Sequence, residues 1–170
     1  LCGGSRKGRR AGGDDSNDRT DGLPASGHDV VHHFGGLTGT DKTVTLQEPL
    51  PDIVRKSEVT KDGVVWDDHI TLSYEPFLGT IATSPAIEAV GALTPDSHGG
   101  NMDLPDVAPG STLYLPVRVD GALLYLGDGH AAQGDGEVCG VAVEIATITT
   151  LMLDLVKSWP LAWPRLENDE

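Results

Sequence analysis

Basic residues are scarce in this 170-residue chain: 12 Lys and Arg stand against 26 Asp and Glu, for a net charge of -14. That shortage excludes a nucleic-acid groove, which needs a positive face. Aromatic residues make up only 5% of the chain, few for a helical bundle with a large core. There are two cysteines, Cys2 in a Gly-rich stretch and Cys139 in a dense polar motif. Pairing them would constrain nothing useful, so a reducing compartment, the cytoplasm, is expected. No apolar run approaches the length of about 18 residues that a membrane span needs. The first residues, Leu1-Cys2-Gly3-Gly4, carry no apolar signal region and no initiator Met, and read as a break rather than a processed end. Walker A, G-x-G-x-x-G after a strand, H-E-x-x-H, paired C-x-x-C and G-x-S-x-G patterns are all missing. The stretch from Asp128 fails the calcium-loop pattern at Ala132 and Gln133.

What is present is unevenly placed. Five of the twelve basic residues (Arg6, Lys7, Arg9, Arg10 and Arg19) fall before residue 22, which leaves the remainder strongly acidic. A surface of this sign, poor in lysine, suits a halophilic source and equally an ordinary soluble one. The chain is long enough to bury roughly 70% of its unfolded surface, so size alone demands neither disulfide nor metal. Residues 1–27 mix charge, Gly, Ser and Pro without apolar periodicity and are expected to be disordered or foreign to the fold. Residues 28–170 form the expected domain.

That domain reads as mainly β, with hairpins, long Gly-rich loops and few helices. Apolar and polar residues alternate over residues 42–47 and 69–74, as half-buried strands require. Leu113, Leu115, Val117 and Val119 share one face, and Asp120-Gly121 is a turn dipeptide before Ala122 to Leu126, so residues 111–128 predict a hairpin. From Val141 onward the apolar odd positions and the β-branched run Ile145 to Thr150 favour a strand over a helix. Residues 84–110 and 127–140 read as long connections, and loops of that length are usually functional or disordered.

Both connections are rich in reactive side chains. Asp96-Ser97-His98-Gly99-Gly100-Asn101-Met102-Asp103 frames two glycines with an imidazole, an amide and carboxylates. In Gly127 to Glu137, Asp128 and His130 are two apart at a strand end and leave the same face. A carboxylate with imidazoles is the donor set of a catalytic metal site, and Glu137 suits a general base. The plainer reading is a capped turn with surface histidines. Cys139 reads as a nucleophile or as a small buried residue. His28, His32 and His33 form a second imidazole group able to donate ligands.

The run His98-Gly99-Gly100-Asn101-Met102-Asp103, then Leu113-Tyr114-Leu115-Pro116-Val117, Gly121-Ala122-Leu123, and the stretch from Gly127 to Gly140 resemble the acetamidase/formamidase family in order and spacing. The similarity extends back through Pro76-Phe77-Leu78-Gly79-Thr80-Ile81-Ala82 and forward to Glu144, with a weaker trace to Thr45. It implies a β-rich, homo-oligomeric hydrolase of short linear amides that releases ammonia and a carboxylate, with a divalent metal ion, zinc or else calcium. By position His98, Asn101, Asp103, Asp128, His130, Asp135 and Glu137 are the motif residues, and from their side-chain chemistry we read His98, Asp103, Asp128 and His130 as the expected ligands. Glu137 and Asp135 are the expected catalytic groups, and Gly100, Asn101 and Gln133 face the substrate. Family members are expected to be longer, with an N-terminal β-rich half unlike residues 1–27. The chain is therefore expected to be a fragment, an internally deleted copy or a frameshift product. An inactive β-domain acting as an assembly or binding module, and an amidase using Cys139, are the alternatives.

Overall fold

The computed structural model describes residues 25–31, 53–138 and 140–168, with backbone alone for 25–31 and 53. Among them there is no helix, and the strands pair antiparallel. The chain is mainly β, as its period-2 alternation predicts, and no helix is long and apolar enough to cross a membrane. The described residues divide into two compact units, 25–31, 53–77 and 129–147 in one, 78–128 and 148–168 in the other.

The first unit carries β1 (Ala25–Val31), β2 (Ile53–Thr60), β3 (Gly63–Val65) and β4 (Thr71–Leu72). β1 begins inside the stretch that composition alone set apart. β2 follows the period-2 rule in a segment the sequence reading passed over: Ser57 and Val59 are buried, while Val54, Lys56 and Glu58 are exposed. Its register with β1 runs from Ala25↔Val59 to Val31↔Ile53. Thr60↔Gly63 closes a tight turn onto β3, where the Thr60 hydroxyl donates to the Gly63 carbonyl at 3.0 Å. Of the alternating stretch 69–74, only Thr71–Leu72 forms a strand. Val59, Val64, Ala131 and Val143 make the core, flanked by Trp66, Leu72 and Tyr74. The Arg55 guanidinium lies over the Trp66 ring, 4.4 Å from its centroid.

In the second unit β5 (Phe77–Ala82) pairs with β6 (Gly99–Asn101) in the register Thr80↔Asn101, Ile81↔Gly100, Ala82↔Gly99. β7 (Thr112–Tyr114) pairs with β10 (Arg165–Glu167). Leu78, Ile81, Val107 and Leu115 form the core, with Met102, Leu113, Leu124 and Leu166 against it. β8 (Tyr125–His130) ends in Gly129 and His130, which belong to the first unit. There it pairs with β9 (Glu144–Ile145) through His130↔Glu144, and β9 in turn pairs with β1.

Three expectations need correction. The hairpin over 111–128 does not form, although its turn does, with the Ala122 N–H donating to the Val119 carbonyl at 3.1 Å. Gly121, Ala122 and Leu123 are successively left-handed, with φ of 78°, 57° and 53°, and this rotates the returning chain away from β7, which pairs with β10 instead. The strand expected from Val141 shrinks to Glu144–Ile145. Beyond it no described strand offers a partner, and Ile148 and Met152 are 92% and 84% exposed. The two long connections are not wholly loops, since they contain β6 and the end of β8. The strand expected at 42–47, the side chains of His28, His32 and His33, and Cys139 lie outside the described residues.

Candidate active site

Polar side chains gather in each unit. In the second unit the β5–β6 register sets Thr80 opposite Asn101, and the Thr80 hydroxyl donates to Asn101 Oδ1 at 2.5 Å. The Asn101 amide donates to Asp103 Oδ2 at 2.7 Å, and Asp128 Oδ2 lies 3.2 Å from Thr80 Oγ1. One hydroxyl proton serves one acceptor at a time, so four oxygen-bearing side chains share few protons. Asp103 and Asp128 hold left-handed backbone, with φ of 47° and 62°. Asp adopts this conformation more readily than most residues, at a cost of about 1 kcal/mol or more. The Met102 and Asp103 N–H groups both donate to the Gly79 carbonyl, at 2.9 and 3.1 Å, which pins the turn after β6.

Thr80 is thus the hub of this cluster. Thr80→Val keeps its shape and removes the hydroxyl, so it is expected to cost about 1 kcal/mol in chemical denaturation, while Thr80→Ser stays close to the parent. Equal midpoints for both variants would show that the hydroxyl contributes nothing.

His98 is buried at the tip of a two-residue turn, where Asp96 and Gly99 exchange backbone hydrogen bonds at 2.8 and 2.9 Å. Its carbonyl accepts the Thr83 N–H at 3.1 Å. The Ser97 N–H, bonded to the Asp96 carboxylate, holds that exposed carboxyl below its ordinary value.

In the first unit His130 is fully buried. Its ring meets Phe77 edge-on, with centroids 4.8 Å apart and planes at 86°. His130 Nδ1 lies 2.9 Å from Gln133 Oε1. His130 Nε2 faces Glu144 Oε1 at 3.2 Å and Glu137 Oε1 at 3.9 Å. The β8–β9 register places Glu144 there, and its carboxylate also accepts the Ala142 N–H at 3.1 Å. Gln133 borders a cavity of about 330 Å³ that is also lined by Leu72, Ser73, Glu75, Ala132 and Gly134.

Of the four expected ligands, His98, Asp103 and Asp128 belong to one unit and His130 to the other. Among the described residues His98 joins no group of three or more ligating side chains. Asn101 meets Asp103, and Thr80 links both to Asp128. Gly100 is buried on β6, Asp135 is exposed, and Gln133 turns its amide oxygen to the His130 ring. Thr80 and Glu144 were missed by the sequence reading. Their signals were a lone hydroxyl within Phe77–Ala82 and a lone acid within the apolar run 141–145.

Fold and site together define a mainly β protein that carries clustered carboxylates, carboxamides and a sequestered imidazole, the side chains that handle water and carbonyl groups. The chain belongs to the acetamidase/formamidase family, whose model matches residues 23–162. The acetamidase of Mycolicibacterium smegmatis is 40% identical over 136 residues, which cover 72% of this chain and 32% of that protein. The formamidase of Methylophilus methylotrophus is 40% identical over 81 residues, 46% of this chain and 20% of that one. A crystal structure of acetamidase from Yersinia enterocolitica matches with a TM-score of 0.81 and 53% identity, over 87% of this chain and 45% of that chain. The chain spans about a third or less of the length of these curated relatives and under half of that solved one.

Proposed function

We propose that this chain carries the site of an amidohydrolase that converts short linear amides, of the formamide and acetamide type, to ammonia and a carboxylate. The carrying observation is the buried His130 ring whose Nε2 faces the carboxylates of Glu144 and Glu137, in a chain with formamidases and acetamidases among its relatives. Family membership implies a metal ion, and the donor set fits one. An imidazole nitrogen with carboxylate oxygens suits zinc, whereas the all-oxygen cluster of Asn101, Asp103 and Asp128 suits calcium. His130 and Glu144 would hold the ion. Bound there, a divalent cation supplies Lewis acidity toward a carbonyl oxygen and toward water.

The remaining chemistry falls to the chain's own groups. Glu137 stands farther from the imidazole than Glu144 and is half-buried. It takes the proton of the attacking water and returns it to the departing amine, as a general base that becomes a general acid. Glu144 is held by the Ala142 N–H and stays in place. Burial of the imidazole against Phe77 keeps bulk water from its ring and strengthens the electrostatics of the site.

Purified chain is expected to release ammonia from formamide or acetamide, to lose that activity on exhaustive chelation and to recover it with zinc. Full activity after chelation would overturn the metal reading. A folded, metal-loaded chain that releases no ammonia would overturn the hydrolase reading in favour of a binding or assembly module.

A further inference from the structure

We infer that Gln133 is a positioning residue: its side-chain oxygen fixes the proton of His130 on Nδ1 and thereby turns the Nε2 lone pair toward Glu144 and Glu137. The inference rests on the proposed reading of His130 as a metal ligand and adds a role for a residue that reading does not use.

The geometry is local to one unit. Gln133 Oε1 lies 2.9 Å from His130 Nδ1, and an amide oxygen only accepts, so the ring nitrogen supplies the proton. Because the ring is fully buried and set edge-on against Phe77, bulk water does not compete for Nδ1. With the proton on Nδ1, a neutral ring presents a lone pair at Nε2. That lone pair faces carboxylate oxygens at 3.2 and 3.9 Å. A nitrogen lone pair and carboxylate oxygens at these distances are the donor set of a divalent cation. Metal-bound imidazoles generally donate their other N–H to an oxygen acceptor, which sets tautomer and orientation, and loss of such a partner typically costs tenfold to a hundredfold in metal affinity. Gln133 fills that role three residues after the ligand. It is half-buried and borders a cavity rather than the close-packed core, so changing it tests orientation more than packing.

The experiment compares the full chain with Gln133→Glu and Gln133→Met. Zinc affinity is measured by competition with a chromophoric chelator. The proton on His130 is located by long-range proton–nitrogen NMR of histidine-labelled, zinc-loaded protein, with His130→Asn identifying the resonance. Glu keeps an acceptor of the same reach, so Gln133→Glu is expected to retain parental zinc affinity with the proton on Nδ1. Gln133→Met removes the acceptor and is expected to bind zinc about tenfold to a hundredfold more weakly. A Gln133→Met chain that binds zinc as tightly as the parent, or a parental proton found on Nε2 or on both nitrogens, overturns this inference and leaves the metal reading standing. A parental chain that takes up no zinc overturns both.

Discussion

His130→Ala is expected to lower stability by about 3 kcal/mol, to abolish zinc uptake and to reduce amide hydrolysis by about a hundredfold or more. Several losses coincide at this residue. The ring is 0% exposed and fills space against Phe77, so truncation leaves a void that the surrounding strands close only in part. Its Nδ1 meets the Gln133 amide oxygen, and removal takes away that partner in a half-buried setting. Urea denaturation, metal content and ammonia release are measured on one preparation. His130→Asn restores a polar partner without the ring, and is expected to recover part of the stability and little of the zinc uptake. An alanine variant of parental stability and zinc content would show that the imidazole neither packs nor ligates as described.

Gly99→Ala is expected to cost about 3 kcal/mol in the unit built from residues 78–128 and 148–168. Gly99 has φ of +96°, which an L side chain rarely adopts, and a Cβ there would lie 2.5 Å from the Ile81 carbonyl oxygen and 3.1 Å from Ala82 Cα. Those atoms are backbone of β5 and cannot swing aside. The β5–β6 pair must open, and with it goes the register that sets Asn101 opposite Thr80. The hydrogen bonds from Thr80 to Asn101 and from Asn101 to Asp103 should fail with it. Gly91→Ala is the matching control. Its Cβ would meet nothing within 4 Å, and its cost is expected to stay within about 0.5 kcal/mol. Equal denaturation midpoints for the two variants would remove the glycine from the account of this site.

The sequence by itself determined the class of fold and which residue types crowd the candidate site. Side-chain alternation is a property of one strand, so period 2 is readable wherever one face is buried. Gly99 and Gly100 announced special backbone because a bare Cα is the commonest way to occupy positive φ. Asp128, His130 and Glu137 stood out by residue type within a few positions of one another, and so did Asn101 and Asp103. Pairing was another matter. Asp120-Gly121 is a sound turn dipeptide, yet two further left-handed residues sent the chain elsewhere, and β7 found its partner some fifty residues along the chain in β10. Residues 146–156, with Leu151, Leu153 and Leu155 at every second position, remain unpaired among the described strands, because side-chain spacing creates a face but not a neighbour.

Glu144 shows the division most plainly. In the sequence it is one acid in an apolar run. Only the β8–β9 register brings it to His130, and Thr80 reaches Asn101 only through β5–β6. Residue type, and the glycines that permit special backbone, are local and were legible in advance. Which carboxylate meets which imidazole depends on hydrogen-bonded contact between distant segments, and this the tertiary structure alone decided.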